Sequence, residues 1–308
     1  MAKKQPTRAR SRTTNKTLAA PSTRARTTRT TTTSRAGAAP NALSPALAIV
    51  LGRAGSRGVP GKNTMPIAGR PCVAWTIEHA MRNSRIGMVV VSSDCPTTLD
   101  IARGMGAWAI ARPATLARDD ARVDDAARHA LSEVDHALTR LGASHTLPRF
   151  ERVVILYANV PVRPQDLTDR AIELLARTGC DSVQSYEHAG KHHPWWTARI
   201  DADSGDVRPW EGRVLNHGVF RRQDLPPAFV PDGGVIALTR EALEGRTRGA
   251  GDGPHAFFGR DRRGIISGTG PDGVGVVDID APIDAIVADA VLRMRHATSH
   301  GNGWARAC

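Results

Sequence analysis

The chain has 308 residues, of which 41% are hydrophobic, which is enough apolar material for one substantial buried core. No apolar run approaches the ~20 residues of a membrane-spanning helix, so we expect no membrane contact. The four cysteines (Cys72, Cys95, Cys180 and Cys308) contain no C-x-x-C pair. This argues against a disulfide framework or a zinc site and for a reducing, cytoplasmic compartment.

The positive charge of the chain is concentrated in its first 44 residues. This segment supplies 10 Lys or Arg residues and no acid, out of a formal net charge of +12. It has almost no large apolar side chain, so we expect a disordered basic tail, 1–44, before one folded domain, 45–300. The tail allows at most weak contact with nucleic acid. The alternative is a solubilising leader or a misassigned start codon.

Strand and helix patterns alternate along the folded domain. An apolar run from Ala46 to Leu51 predicts a buried strand. Further strands are predicted at 88–91, 107–110, 153–156, 235–238 and 275–280, and helices after Pro71, at 97–105, at 119–140, after an Asp166 cap and after Pro282. In the last helix the inward residues are predicted to be Ile283, Ile286, Val287, Ala290 and Val291. Repeated β–α units of this length predict a three-layer αβα fold with a mainly parallel sheet.

The segment 181–229 interrupts this alternation. It is rich in Trp, His, Arg, Pro and Gly, which predicts a small inserted lobe or dimerisation arm. Its adjacent His192 and His193 would point to opposite faces of a strand, which argues against a metal site there.

Glycine recurs at every third position after the first strand: Gly52, Gly55, Gly58 and Gly61. Such a backbone lets a ligand approach main-chain N–H groups. Arg53, Arg57 and Lys62 add positive charge, which predicts a polyphosphate cradle. The loop is not a Walker A motif, because Ser56 occupies a required glycine position, and it lacks the dinucleotide fingerprint. The alternative is a flexible surface turn with solvated cations.

The loop sequence carries a specific resemblance. Residues 53–63 (RAGSRGVPGKN) resemble the R-x-x-S-K-G-x-P-x-K-N signature of the acylneuraminate cytidylyltransferase (CMP-sialic acid synthetase) family, with Arg57 in place of lysine. Five further motifs follow in order: 92–94 resembles S-T-D, 112–119 R-P-x-x-L-A-x-D, 192–194 H-H-P, 221–236 R-R-Q-x-L-P-x-A-F followed by N-G-A-I, and 277–280 I-D-I-D. The resemblance spans about residue 46 to residue 296.

The resemblance implies a Rossmann-like, GT-A-like nucleotidyltransferase that transfers CMP from CTP to a sialic-acid-like sugar acid and releases pyrophosphate. It implies that Arg53 and Lys62 are catalytic. It also implies a nucleotide site made of Arg53, Ala54, Gly55, Ser56, Arg57, Lys62, Asn63, Ser92, Asp94 and Arg112. The acceptor would be bound by Tyr157, Asn159, His193 and Arg222.

The resemblance assigns Mg²⁺ to Asp278 and Asp280, and the residue chemistry agrees. Carboxylates two positions apart on a strand face the same way, and hard oxygen ligands suit Mg²⁺. The alternative for Asp280 is a cap on the helix that starts at Pro282.

Departures from the family pattern cluster on the acceptor side. Tyr157 replaces a glutamine, Trp196 a basic residue, Val230 an arginine and Asp232 an asparagine. We therefore expect an acceptor other than N-acetylneuraminate, less polar or more deoxygenated. Two alternatives stay open: an enzyme for another nucleotide or acid, and a non-catalytic binding protein on the same fold. A homodimer is expected from the resemblance and from the irregular lobe.

Overall fold

The computed structural model describes residues 44–56, 58–142, 149–268 and 273–299. Arg57 and the basic tail lie outside these ranges, so the roles assigned to them stay predictions. Within the described ranges, no helix has both the length and the apolarity needed to cross a bilayer.

Eleven strands occur in the described part of the chain. Their bounds are β1 Ala46–Leu51, β2 Pro66–Ile67, β3 Arg70–Pro71, β4 Ile86–Ser93, β5 Trp108–Ala111, β6 Arg152–Tyr157, β7 Ser182–His188, β8 Ala198–Ile200, β9 Val207–Pro209, β10 Phe229–Thr239 and β11 Arg262–Ile266. Seven form the central sheet in the order β11-β7-β10-β6-β1-β4-β5. Only β10 runs antiparallel to its two neighbours, so the predicted mainly parallel sheet is confirmed.

Six α-helices accompany the strands: α1 Cys72–Met81, α2 Pro96–Gly104, α3 Val123–Arg140, α4 Leu167–Thr178, α5 Arg240–Leu243 and α6 Pro282–Ser299. Alternate residues of β1 point to opposite faces of the sheet. Ala46, Ala48 and Val50 pack with α1, α2 and α4, whereas Leu47 and Ile49 pack with α3 and α5. The predicted three-layer αβα architecture is therefore confirmed.

The irregular lobe is shorter than the sequence suggests. Residues 182–188 form β7 and pair with β10 and β11, so the lobe proper comprises residues 189–228. The sequence of β7, SVQSYEH, contains no apolar run, so it did not predict a strand. Only Ser182, Val183 and Ser185 of β7 are buried, and two of these are polar. The lobe contains short 3-10 turns and the antiparallel β8–β9 hairpin.

The apolar face predicted for α6 is wrong at most positions. Ile283, Ile286, Val287 and Ala290 are exposed, while Ala285 and Val291 are buried, the latter as predicted. Together with Ala288 and Leu292, the buried residues of α6 pack against a small third cluster around Val59, Ile67 and Ile279. Small side chains allow this close approach, and the periodicity of large apolar residues alone does not reveal it.

Two other local predictions need correction. Residues 275–280 form no strand; only Val277 bridges Val162, so the two carboxylates that follow lie on irregular backbone. Asp166 makes no side-chain cap on α4 and instead forms an ion pair with Arg170 one turn into the helix.

A buried guanidinium joins three of these elements. Arg163 is 5% exposed and donates hydrogen bonds to the carbonyls of Tyr157 (2.9 Å), Val160 and Gly234 (2.7 Å) and to the Thr76 hydroxyl (2.9 Å). It thereby ties the end of β6 to β10 and α1. Burial lowers the pKa of Arg163 to about 10, and the nearby charge of Asp278 opposes that shift.

We expect Arg163→Met to destabilise the fold by about 3–5 kcal/mol, because it leaves several buried acceptors without donors. The measurement is the free energy of unfolding from denaturant titration. The control is Arg177→Met on exposed α4 surface, which is expected to change stability by less than about 0.5 kcal/mol. Equal effects of the two variants would contradict the role assigned to Arg163.

Candidate nucleotide and acceptor site

The residues predicted to form one cleft do lie at one edge of the sheet. β6, β1, β4 and β5 are adjacent and parallel, so their carboxyl ends meet. The glycine loop follows β1, the segment Ser92–Asp94 closes β4, and the segment Tyr157–Arg163 follows β6. Ligands bind at this edge in open α/β sheets.

The start of the glycine loop is held by two side chains that the sequence assigned to the site. Asn63 donates through Nδ2 to the Arg53 carbonyl at 2.9 Å, and Asp94 accepts from the Ala54 N–H at 2.8 Å. Asn63 is buried, and its Oδ1 has no hydrogen-bond partner in the structure. A buried acceptor without a donor is costly, so Oδ1 is available to a ligand N–H or O–H.

Lys62 joins the end of the loop to the acidic segment. Its Nζ donates to Asp280 Oδ1 at 2.8 Å and to the Ile279 carbonyl at 2.9 Å. Gly58 touches the same segment, because a Cβ built there would lie 2.4 Å from the Asp280 carbonyl oxygen. The loop and the two carboxylates therefore form one unit, although more than 200 residues separate them.

Arg53 and Arg112 are two further cations that the sequence assigned to the site. Arg53 forms an ion pair with Asp119, and both side chains are partly exposed. Arg112 is buried and donates to the Ser92 hydroxyl at 3.1 Å and the Ser92 carbonyl at 2.6 Å. Burial lowers the pKa of Arg112, and the charge of Asp94 partly offsets this.

A cavity of about 280 Å³ brings these groups together, and we call it the loop cavity. Arg53, Lys62, Asn63 and Arg112 line it, and so do Tyr157 and Asn159 from the end of β6. Ala54, Gly55, Ser56, Ser92 and Asp94 do not line the cavity, although Ser92 and Asp94 hold residues that do.

Asp278 lies behind this cavity, half-buried. Its Oδ1 accepts a hydrogen bond from the Asn159 amide. Burial, followed by repulsion from Asp280, raises the pKa of Asp278 from 3.8 to about 6, against the lowering effect of Lys62 and Arg163. A carboxylate held in this way is stabilised by any cation that binds beside it.

The acidic pair fits a divalent cation that takes most of its ligands from elsewhere. Asp278 and Asp280 offer hard oxygen donors, but no group of three or more His, Cys, Asp or Glu in the described ranges could enclose a metal. Mg²⁺ typically binds one or two carboxylates and keeps waters and substrate phosphates as its other ligands. The residues present therefore fit Mg²⁺ and not a metal cage made of protein alone.

A second cavity of about 640 Å³ adjoins the first, and we call it the outer cavity. Its walls come from β7, β10 and β11 and from the Phe257–Phe258 pair. It shares Ala121, Arg122, Val123 and Tyr157 with the loop cavity.

Two residues predicted to bind the acceptor lie elsewhere, on the lobe. His193 accepts from the Trp195 N–H at 3.1 Å through Nδ1, and its Nε2 lies 3.1 Å from the Pro226 carbonyl. Both ring nitrogens are thus engaged locally. Arg222 is exposed and lines neither cavity. Of the four departures from the family pattern, Trp196, Val230 and Asp232 also line neither cavity, and Tyr157 lines both.

Several lining residues were missed by the sequence analysis. Arg122, Arg262 and Arg263 line the outer cavity, and Asp119 holds Arg53. Asp119 stood inside a recognised motif and could have been nominated. The arginines could not, because Arg122 lies just before α3 and the other two lie on β11, a strand the sequence did not predict.

Solved structures support the class of fold. A CMP:2-keto-3-deoxy-manno-octonic acid synthetase complexed with CTP superposes with a TM-score of 0.55 at 14% identity, covering 82% of this chain and 100% of that chain. A 4-diphosphocytidyl-2C-methyl-D-erythritol synthase from Anaerococcus prevotii gives 0.50 at 12% identity, covering 81% and 99%. The fold is therefore that of an αβα nucleotidyltransferase.

Sequence comparisons find relatives that use the same chemistry as the family suggested by the motifs. A family model described as cytidylyltransferase matches residues 47–149. The chain is 25% identical to a CMP-N,N'-diacetyllegionaminic acid synthase of Legionella pneumophila over 80% of this chain and 96% of that protein. An N-acylneuraminate cytidylyltransferase of Streptococcus agalactiae is 26% identical, with 63% of this chain and 43% of that protein covered. A pseudaminic acid cytidylyltransferase of Campylobacter jejuni is 30% identical, with coverages of 41% and 51%. These similarities support the resemblance to the acylneuraminate cytidylyltransferase family that the sequence motifs predicted.

We expect Gly58→Ala to lower the melting temperature of the ligand-free protein, because the new methyl group must displace the backbone at Asp280. Gly55→Ala is the matched control from the same loop, since a Cβ there meets nothing within 4 Å. Thermal unfolding of both variants tests this. Equal melting temperatures for the two variants would show that the loop and the acidic segment are not in contact.

We expect Asp278→Asn to stabilise the protein at pH 8 in the presence of EDTA, by at most about 3 kcal/mol. Because the pKa is raised from 3.8 to about 6, ionisation of this carboxyl lowers the free energy of unfolding. The loss is complete above about pH 6 and absent below pH 3.8. The gain should therefore vanish as the pH falls to about 4. Denaturant unfolding at both pH values checks this, with the exposed Asp203→Asn as a control that should change little. A variant that is less stable than wild type at pH 8 would contradict the predicted sign.

Proposed function

We propose that this chain transfers CMP from CTP to a hydroxyl group of an acidic sugar and releases pyrophosphate. The observation that carries the proposal is the junction of two cavities at Tyr157: one is lined by the cations of the glycine loop and the other is large enough for a sugar. A displacement at the α-phosphate requires this arrangement, with the nucleotide and the acceptor side by side.

The cations of the loop cavity would neutralise the triphosphate. Lys62 and Arg53 each have a carboxylate partner in the free protein, Asp280 and Asp119. In the complex, phosphate oxygens would replace or join these carboxylates as acceptors. Arg112 and Asn63 lie deeper in the cavity and are suited to the nucleoside, with the Asn63 Oδ1 as a free acceptor.

Asp278 and Asp280 would hold Mg²⁺, which neutralises phosphate charge as the α-phosphate is attacked. The Asn159 amide keeps the Asp278 carboxylate oriented through its hydrogen bond. Lys62, bonded to Asp280, places a second positive charge on the same side of the cavity.

The outer cavity favours an acidic acceptor. It is lined by three arginines (Arg122, Arg262 and Arg263) and two carboxylates (Asp120 and Asp124), which leaves an excess of one positive charge. Phe257 and Phe258 form an apolar wall suited to the non-polar face or the acyl groups of a sugar. Tyr157, where the family has glutamine, supplies a flat aromatic face, which favours a less polar acceptor than N-acetylneuraminate.

We also propose that two copies assemble through the lobe. Exposed apolar side chains are frequent there, including Ile200, Trp210, Val214 and Phe220, and such patches mark interfaces. Assembly through the lobe would let Arg222 reach the acceptor site of a second copy, which would account for its absence from both cavities of its own chain.

Pyrophosphate release from a matrix of substrates tests the function. Each of the four ribonucleoside triphosphates is combined with N,N'-diacetyllegionaminate, pseudaminate, N-acetylneuraminate and an eight-carbon 3-deoxy sugar acid, in the presence of Mg²⁺. CTP is expected to be the best donor and N-acetylneuraminate to be a poor acceptor, and Asp278→Asn is expected to be inactive. A clear preference for N-acetylneuraminate would contradict the expectation that Tyr157 favours a less polar acceptor. No turnover with any pair would contradict the proposed function.

A further inference from the structure

The loop cavity and the outer cavity meet at a wall that contains only two polar side chains. The shared residues are Ala121, Arg122, Val123 and Tyr157, of which Arg122 alone is charged. If one cavity takes the nucleotide and the other the acceptor, as proposed above, the reacting atoms meet at this wall.

The chemistry of a 2-keto sugar acid places its carboxylate at the same point. In the cyclic form of such an acid, the carboxylate and the attacking hydroxyl are attached to one carbon, the anomeric carbon. When the hydroxyl faces the α-phosphate, the carboxylate must therefore lie within a few ångströms of it. A cation at the far end of the outer cavity cannot bind that carboxylate while the hydroxyl reacts.

Arg122 is rigidly positioned for this contact. Its Nε and Nη2 donate to the two oxygens of Asp124 at 3.0 and 2.8 Å, and Nη2 also lies 3.4 Å from the Pro254 carbonyl. The Asp124 side chain is only 1% exposed and is paired with Arg128 as well, at 2.7 Å. Burial would raise the pKa of Asp124, but the two arginines hold it below its ordinary value. Asp124 thus fixes the guanidinium of Arg122 and leaves Nη1 without a hydrogen-bond partner in the structure.

The other two arginines of the outer cavity are not part of the shared wall. Arg262 donates to the carbonyls of Gly259 and His255, both at 2.9 Å, and Arg263 pairs with Asp261 at 2.8 Å. Both belong to β11, the edge strand of the sheet, and neither lines the loop cavity.

We propose that Arg122, fixed by Asp124, binds the carboxylate of the acceptor at the junction of the two cavities. This inference rests on the proposed function. A guanidinium gives a carboxylate a strong charge-assisted hydrogen bond, worth a factor of roughly 10 to 100 in binding.

The test compares each acid with its uncharged methyl ester. N,N'-diacetyllegionaminate and N-acetylneuraminate are assayed with CTP as acid and as ester, with wild type, Arg122→Gln and Arg122→Lys. Wild type is expected to prefer the acid by roughly 10- to 100-fold in kcat/KM. Arg122→Gln should lose most of that preference through a higher KM for the acid, while KM for CTP stays within about threefold. Arg122→Lys should keep part of the preference, because the charge remains and the planar guanidinium is lost.

A control variant and the two Arg122 variants separate the possible outcomes. Arg103→Gln removes an exposed arginine that pairs with Asp100 and lines neither cavity, and it should retain the acid preference. Arg128 still pairs with Asp124 in Arg122→Gln, so the fold is expected to persist. If Arg122→Gln does not fold, the acid preference of Arg122→Lys is the test of the role of Arg122. An undiminished acid preference in the Arg122 variants would overturn the role of Arg122. Wild type that releases no pyrophosphate with any acid would instead overturn the proposed function itself.

Discussion

The guanidinium of Arg163 is the contact on which the site depends. It lies in the interior without a carboxylate at hydrogen-bonding distance and donates to the carbonyls of Tyr157 and Val160 and to Gly234. A buried cation is tolerated because it donates four hydrogen bonds to oxygens and because Asp278 and Asp232 contribute negative charge nearby. The backbone that presents Tyr157 and Asn159 to the cavities is therefore fixed before any ligand arrives.

Around this fixed centre, the charged groups of the site pair with one another. Lys62 contacts Asp280 and Arg53 contacts Asp119, so each cation that would meet a phosphate already has an anionic partner. Asp278 is the exception, because burial and a neighbouring carboxylate make its ionised form costly. The ionised carboxylate destabilises the ligand-free protein, and a bound cation would remove that penalty. Replacing Asp278 is therefore expected to raise stability and to lower activity.

The outer cavity, proposed for the acceptor, is built from different parts of the chain than the loop cavity, proposed for the nucleotide. The walls of the outer cavity come from β7, β10 and β11, whereas the loop cavity is built on β1, β4 and β6. Arg122 and Tyr157 lie where the two sets meet. The nucleotide side can thus be kept while the acceptor changes, which agrees with relatives named for legionaminic, acylneuraminic and pseudaminic acids.

The sequence by itself determined the alternating β–α architecture, the glycine loop and the resemblance to cytidylyltransferases, because apolar period, glycine spacing and short motifs are local properties. The tertiary structure decided what depends on distant contacts. It buried Ala285 in place of Ile286 on α6, left Asp278 and Asp280 on irregular backbone, and held His193 within the lobe. It also brought Arg122 to the junction of two cavities. Which of many arginines lines a cavity depends on how strands far apart in the chain pack, and no local pattern records that.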